Sequence, residues 1–150
     1  MDSKDLAPLP VPQKYILHLK TDITLVKEVL AWFDQFNRPP VPNITWMQSQ
    51  LAVAEAFTNA VRHAHKGLPP DTPIDLEVHV LPQSWEIRIW DCGPGFDIAE
   101  KLKSLKGKED WQDEGGRGLL LIDLICDRIS YTKTDDGRNC FLMVKQYSKS

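Results

Sequence analysis

The segment 51–65 constrains the fold most, because chain-breaking residues bound a strong helix pattern on both sides. It is rich in Ala, Leu and Glu and contains no internal Gly or Pro, which favours an α-helix. The Pro-rich segment 38–42 interrupts the chain before it, and Gly67 with the prolines that follow ends the pattern. Thr45 and Gln48 have the spacing of a capping box, so we expect the helix to open there. The predicted buried stripe consists of Leu51, Ala54, Phe57, Thr58 and Val61.

Another face of this helix carries polar residues at regular intervals. Glu55, Asn59 and His63 are four residues apart, so they lie one above another on successive turns. A carboxylate and an amide oxygen one turn apart can serve the same cation or the same proton. The alternative is a solvated polar face of an amphipathic helix.

The rest of the chain predicts grouped strands and helices. A strand at 15–19 precedes a helix from Thr21 or Asp22 to Asn37, whose apolar side packs in the core or extends a partner surface. Alternation at 74–80 and 85–90 predicts a hairpin, and two closing strands cover 128–132 and 140–146. This order predicts an α+β fold, a two-layer sandwich whose mainly antiparallel, mixed sheet is covered on one face by helices. Residues 1–13 are predicted to be a mobile arm and 14–150 a single domain.

Composition narrows the classes of function. The net charge of −3 gives none of the basic excess expected for direct nucleic-acid binding. Three cysteines without a CxxC spacing indicate reduced thiols, not a disulfide frame or a zinc site. No apolar run is long enough to span a bilayer, and the first residues form no apolar signal core. We therefore expect a cytoplasmic protein that binds neither membrane nor nucleic acid.

A second polar motif follows the hairpin, where Asp91, Gly93 and Gly95 alternate after a buried strand. A carboxylate at the end of such a strand can accept a hydrogen bond from an exocyclic amine, such as that of adenine. Glycines after it allow the backbone to approach a flat ligand closely. A plain turn after a strand is the alternative.

A third motif, Gly-Gly-Arg-Gly at 115–118, opens an apolar helix after a Lys- and Glu-rich segment that has a weak helical signal at 98–105. Free N–H groups at a helix start favour phosphate, and Arg117 adds a donor fork between Gly116 and Gly118. A flexible hinge is the alternative. The chain has no P-loop motif, and neither glycine cluster has the third glycine of a dinucleotide fingerprint.

Together, in this order, the three motifs resemble those of the GHKL (Bergerat-fold) ATPases, and most of all the RsbW/SpoIIAB type of serine kinase and anti-sigma factor. The resemblance covers about 15–145 and implies ATP and Mg²⁺ as cofactors. It implies that Glu55 is the general base and that Asn59 ligates Mg²⁺. Asp91 would bind the adenine amine, with Gly93 and Gly95 shaping the pocket. The β- and γ-phosphates would be held by Gly116, Arg117 and Gly118, under a lid at about 97–114.

Two further residues, Arg62 and His63, match the family's helix and are placed near the phosphates by that match alone. For His63 the favoured interpretation is a structural histidine with satisfied hydrogen bonds. The family often has a threonine in the last hairpin that supports the adenine site. Here the chain reads Asn139-Cys140, so the support comes from Asn139 or is missing.

The resemblance implies an ATP-dependent serine/threonine protein kinase acting on a small anti-sigma-factor antagonist of the STAS type and regulating transcription or stress signalling by partner switching. It also implies a homodimer and a sigma factor as a second partner. The alternative is a non-catalytic, nucleotide-responsive switch that sequesters its partner. The catalytic domain of a two-component histidine kinase fits less well, because the chain has no separate phosphoacceptor helix pair.

Overall fold

The computed structural model describes residues 6–107 and 114–148. Its strands and α-helices, in chain order, are β1 (Gln13–Lys20), α1 (Val26–Phe33), α2 (Asn43–Asn59), β2 (Pro73–Val80), β3 (Ser84–Asp91), α3 (Ile98–Lys106), α4 (Glu114–Ile125), β4 (Arg128–Lys133) and β5 (Asn139–Gln146). Short 3₁₀ segments flank α1, and a π-helical turn (Ala60–Ala64) continues α2. No helix in the described ranges combines the length and apolar character needed to cross a membrane.

The five strands form one sheet in the order β1-β2-β3-β5-β4. Each adjacent pair is antiparallel, so the predicted α+β fold is confirmed while the prediction of a mixed sheet is wrong. Consecutive strands are joined by short connections at 81–83 and 134–138, which antiparallel pairing permits.

The helices cover the apolar face of this sheet. Alternate residues of β2 and β3 are buried on that face, as the alternation predicted. The opposite face carries charged side chains, including Arg88, which pairs with Glu77 and Glu86. The largest buried side chain is Trp85, whose indole N–H donates to Ser49 Oγ on α2. The core therefore lies between α1, α2, α4 and the sheet.

The first helical region begins as predicted. The carboxylate of Asp22 accepts a hydrogen bond of 3.0 Å from the backbone N–H of Thr24 and so caps it. Val29, Phe33 and Phe36 are fully buried. The apolar side of this region is therefore core and not the partner surface considered as the alternative.

The central helix α2 differs from the prediction in its start and in its buried side. It begins at Asn43 directly after Pro42, and the predicted capping box is wrong because Thr45 is buried inside the helix. Leu51, predicted to be buried, is 55% exposed. The buried residues of its second half are Ala52, Val53, Ala56, Phe57 and, just beyond it, Ala60. Small side chains fit there because this side of α2 packs against both α4 and the sheet.

The predicted mobile arm and the predicted lid both contain residues that contact the rest of the domain. Within the predicted mobile arm, Leu9 is buried and its N–H donates to the carbonyl of Pro39 at 2.7 Å, and Gln13 already belongs to β1. Within the predicted lid, Asp97 caps α3, and Leu105 packs into the core. Residues 108–113 of the predicted lid lie outside the described residues.

Candidate functional site

An apolar cavity of about 320 Å³ lies between α2, α4 and the sheet. Its floor is a row of three side chains across neighbouring strands, since Ile89 on β3 pairs with Phe141 on β5, and Phe141 pairs with Tyr131 on β4. Ala56 and Ala60 on the helical side leave the space open. We call it the apolar cavity.

Asp91 lies two residues beyond Ile89 at the end of β3 and also lines this cavity. The residue is 3% exposed. Its Oδ1 accepts hydrogen bonds of 2.9 Å from the backbone N–H of Gly93 and from Nδ2 of Asn139. Its Oδ2 accepts one of 2.8 Å from the hydroxyl of Tyr131. Asp91 is therefore a buried acceptor whose orientation is fixed by three donors.

Asn139 lies directly opposite Asp91 in the β3–β5 pairing and is 2% exposed. Besides the bond to Asp91, its Nδ2 donates to the carbonyl of Gly93 at 2.8 Å. A Cβ at Gly95 (φ +82°) would come within 2.9 Å of Asn139 Oδ1, so only glycine fits there. Of the two possibilities left open by the sequence, the structure shows that Asn139 does contact Asp91.

The π-helical turn after α2 brings the chain against the loop that follows Asp91. A Cβ at Gly93 would collide with the carbonyl oxygen of Ala64, so this glycine allows the two segments to touch. At the end of the turn the N–H of His65 donates to the carbonyl of Ala60 at 2.8 Å. Such π turns are often found at functional sites.

The side chain of His65 holds this loop from the other side. It is 2% exposed, and its Nε2 accepts a hydrogen bond of 2.8 Å from the backbone N–H of Cys92. Burial lowers the pKa of His65, while the nearby Asp91 carboxylate opposes that shift. His65 is therefore neutral at pH 7, as its acceptor role requires.

A second, polar cavity of about 440 Å³ lies between α2 and the start of α4. It is lined by Glu55, Thr58, Asn59, Arg62, His63, Arg117, Gly118 and Leu121. Gly118 fits closely here, because a Cβ at this position would lie 2.5 Å from Glu55 Oε2 and 3.4 Å from Asn59 Nδ2. Asn59 and His63 line both cavities, so the two form one continuous site.

The structure thus brings the candidate residues from all three motifs together. The apolar cavity is lined by Asn59, His63, Asp91, Gly95 and Gly116, with Gly93 bonded to Asp91 behind them. Gly116, Arg117 and Gly118 lie in the first turns of α4, as predicted. His63 is exposed and lines both cavities.

Among the residues of the site that sequence reasoning missed are His65, Phe96, Lys101 and Tyr131. Tyr131 and Phe96 pack together with ring centroids 4.7 Å apart. The alternation of β4 could have placed Tyr131 on the helix-facing side, next to the buried motif strand. His65 gave no such signal, because the π turn changes the helical register that its spacing would suggest.

The residues present fit Mg²⁺ and a nucleotide. Among the described residues, no cluster of three or more His, Cys, Asp or Glu side chains could hold a metal ion alone. Mg²⁺ is usually held by one or two protein oxygens together with substrate phosphates. The oxygens of Asn59 and Glu55, beside the polar cavity, form a donor set of that kind. The apolar cavity with one buried carboxylate suits a flat base that carries an amine.

Comparisons with known proteins show which family the chain resembles. The model of the histidine kinase-like ATPase domain matches residues 19–145. The serine-protein kinase RsbW of Listeria innocua is 35% identical over 85 residues, which are 53% of this chain and 54% of that protein. RsbW of Halalkalibacterium halodurans is 37% identical over 93 residues, 59% and 55% of the two chains.

A solved structure of the RsbU and RsbW domains of a Mycobacterium tuberculosis protein superposes with a TM-score of 0.59. It covers 91% of this chain and 33% of the other at 14% identity, so it supports the fold alone. The matches to the RsbW kinases span little more than half the length of those relatives. Because the family model matches most of the sequence, the chain belongs to the histidine kinase-like ATPase domain family and is similar over about half its length to RsbW serine-protein kinases.

Proposed function

We propose that this protein is a Mg-ATP-dependent serine/threonine protein kinase whose substrate is a small anti-sigma-factor antagonist of the STAS type. The proposal draws on the family membership and on the names of the RsbW relatives. In this proposal the protein also sequesters a sigma factor, acts as a homodimer and works in the cytoplasm.

The observation that carries the proposal is the shared wall of the two cavities. Asn59 lines both the cavity that ends at Asp91 and the cavity that contains Glu55. A ligand with a flat base at one end and a charged chain at the other would therefore run past Asn59. ATP has this shape, and its phosphates would lie beside Gly118 and the start of α4, where helix N–H groups favour anions.

Each residue has a definite part in the proposed transfer. Glu55 accepts the proton of the attacking serine or threonine hydroxyl. Arg117 neutralises charge on the phosphates, as does Arg62 on the opposite wall. Asp91 holds the base amine, while Asn59 holds the cation. Bound Mg²⁺ would supply charge neutralisation at the phosphates.

The surface beside Glu55 supports a protein as the substrate. Ile44, Met47 and Leu51 are 59%, 50% and 55% exposed on α2. Their spacing continues to Glu55, so these apolar side chains and the proposed base share one face of the helix. A substrate that presents its hydroxyl to Glu55 would lie along this face, which we call the α2 stripe.

Calorimetry and radiolabelled transfer test the proposal together. The parent protein should bind Mg-ATP and transfer ³²P from its γ-phosphate to a serine of an antagonist protein. Glu55→Gln should retain ATP but lose about 10²- to 10⁴-fold in transfer rate. Glu28→Gln on α1, exposed and outside both cavities, is the matched control and should transfer normally. Absence of ATP binding by the parent would refute the proposal.

The α2 stripe also favours a second candidate, a nucleotide-responsive switch that binds its partner without phosphorylating it. ATP binding with capture of a sigma factor or antagonist, but with no transfer to any serine or threonine, would favour the switch. A Glu55→Gln variant that transfers as fast as the parent would instead remove Glu55 from the role of base.

A further inference from the structure

The imidazole of His65 is buried against the loop that follows Asp91. Its Nε2 accepts the backbone N–H of Cys92 at 2.8 Å, so this nitrogen carries no proton and the neutral ring has its proton on Nδ1. Nδ1 is buried without a hydrogen-bond partner in the described parts of the chain. The bond to Cys92 is therefore what fixes the tautomer of the ring.

The loop that His65 contacts forms part of the apolar cavity, since Pro94 and Gly95 line this cavity together with Asp91. Cys92, the residue that donates to His65, follows Asp91 directly. The Asp91 carboxylate in turn accepts the N–H of the residue after Cys92 at 2.9 Å. Through one backbone N–H, His65 thus holds the segment that sets the position of this carboxylate.

Protonation of the ring would remove that connection. A charged imidazole has an N–H at both nitrogens, so two donors would face each other across the 2.8 Å between His65 and Cys92. Burial lowers the pKa of His65, while the Asp91 carboxylate opposes that shift. Burial also raises the pKa of the Cys92 thiol, and His63 and Lys66 beside the ring in the chain are exposed. The ring is therefore neutral at pH 7 and becomes charged only at lower pH.

We propose that His65 is a positioning residue for the nucleotide: its neutral ring holds the loop at Cys92 so that Asp91 meets the ligand, and its protonated ring releases this loop. The apparent affinity then falls with the fraction of neutral rings as the solution is acidified. By reciprocity, a bound nucleotide makes His65 harder to protonate. This inference rests on the proposed nucleotide-binding function and adds a dependence on pH to it.

Calorimetric affinities for Mg-ATP between about pH 7.5 and pH 5.0 test the proposal. In His65→Gln the amide oxygen can accept from Cys92 but does not titrate in this range. The ratio of the parent Kd to the Kd of this variant should rise about threefold or more on acidification. This ratio cancels the titration of ATP and of His63, which are common to both measurements. His65→Leu retains no acceptor, so its Kd should be roughly tenfold higher than that of the parent at neutral pH.

His18→Gln is the matched control. The side chain of His18 is 80% exposed, contacts Asp75 at 2.8 Å and lines neither cavity. Its removal should leave the pH profile of the parent unchanged. A constant ratio of Kd between the parent and His65→Gln would overturn the inference while leaving the proposed function in place. Parental affinity in His65→Leu would overturn it as well.

A measurement on the parent alone does not depend on how the variants fold. The ¹⁵N NMR signals of the His65 ring report its protonation. The midpoint of their titration should move to lower pH when Mg-ATP is bound, whereas the phosphate charges alone would move it to higher pH. An unchanged or raised midpoint would contradict the positioning role. If the parent binds no Mg-ATP, the proposed function itself fails.

Discussion

The side-chain amide of Asn139 donates to Asp91 Oδ1 at 2.9 Å and to the carbonyl of Gly93 at 2.8 Å. One amide nitrogen thus fixes both the carboxylate and the loop that follows it. Asn139 and Asp91 are opposite each other on β5 and β3, so sheet register alone sets their distance.

Asn139→Ala should weaken ATP binding. The substitution removes one of three donors to Asp91 and frees the loop at Gly93, and a hydrogen bond to a charged group contributes about 1.5–3 kcal/mol. We expect the calorimetric Kd for Mg-ATP to rise roughly tenfold or more. Asn43→Ala, exposed at the start of α2, is the control and should bind as the parent does. Equal affinities of Asn139→Ala and the parent would contradict a supporting role.

Gly118→Ala should separate catalysis from stability. The added Cβ would meet Oε2 of Glu55 at 2.5 Å, and the flexible end of that side chain can move aside more easily than the backbone. We expect a free energy of unfolding within about 1 kcal/mol of the parent. Displacing the base by about 1 Å should lower the transfer rate roughly 10²-fold.

A glycine outside the site provides the control for that substitution. A Cβ at Gly107 would meet its nearest neighbour, the carbonyl oxygen of Ser104, at an ordinary 3.7 Å. Gly107→Ala should therefore transfer phosphate at the parental rate in the same radiolabel assay. A parental transfer rate in Gly118→Ala would show that the reaction does not depend on the present position of the Glu55 carboxylate.

His65 should make the free energy of unfolding depend on pH. Because burial lowers the pKa of His65 below the ordinary histidine value of 6.5, the unfolded chain takes up the proton first as the pH falls. The stabilising contribution is complete above pH 6.5 and is lost as the pH falls through the lowered pKa. Protonation also removes the Nε2 acceptor from the N–H of Cys92. Urea unfolding of the parent should show this loss of stability as the pH falls below about 6.5.

His65→Gln isolates that contribution, since an amide oxygen can accept from Cys92 but does not titrate in this range. We expect this variant to show a weaker dependence of unfolding free energy on pH than the parent. His63→Gln is the control, because His63 is exposed and should leave the dependence as it is. If the free energy of unfolding depended on pH in the same way in His65→Gln and in the parent, His65 would not be the source of that dependence.

Leu51→Asp should reduce transfer to a protein substrate without affecting nucleotide binding. Leu51 is 55% exposed, one turn before Glu55, and does not line either cavity. Loss of an apolar contact at a protein interface often costs more than 1 kcal/mol, so KM for the antagonist should rise about fivefold or more. Ile16→Asp, 53% exposed on β1, should have no such effect. A similar rise in KM for both variants would argue against the α2 stripe.

The strand pattern was the most predictable part of the fold. In β2 and β3 each residue faces either the helices or solvent, so apolar and polar residues alternate along the chain. The resemblance of the three motifs to a known family, and no local pattern, predicted that they come together. Glu55 and Gly118 are far apart in the chain, yet a Cβ on Gly118 would nearly touch that carboxylate.

The features of the fold and of the site that the sequence did not predict depend on contacts between segments that are distant in the chain. The buried side of α2 could not be found from apolar periodicity, because α2 packs against α1, α4 and the sheet and several of its buried residues are alanines. The contact between Asn139 and Asp91 depends on the register of β5 against β3, which no local pattern specifies. His65 reaches Cys92 only because a π turn follows α2.

The order of the strands has a consequence for how a ligand would change the dynamics of the domain. Tyr131 is carried by β4, which has a neighbour on one side only, whereas Asp91 is carried by the central β3. A ligand that contacts both residues would link the edge strand β4 to the central strand β3. Amide hydrogens of β4 should then exchange with solvent deuterium more slowly when nucleotide is present. This slowing should be larger for β4 than for β1, the strand at the opposite edge of the sheet.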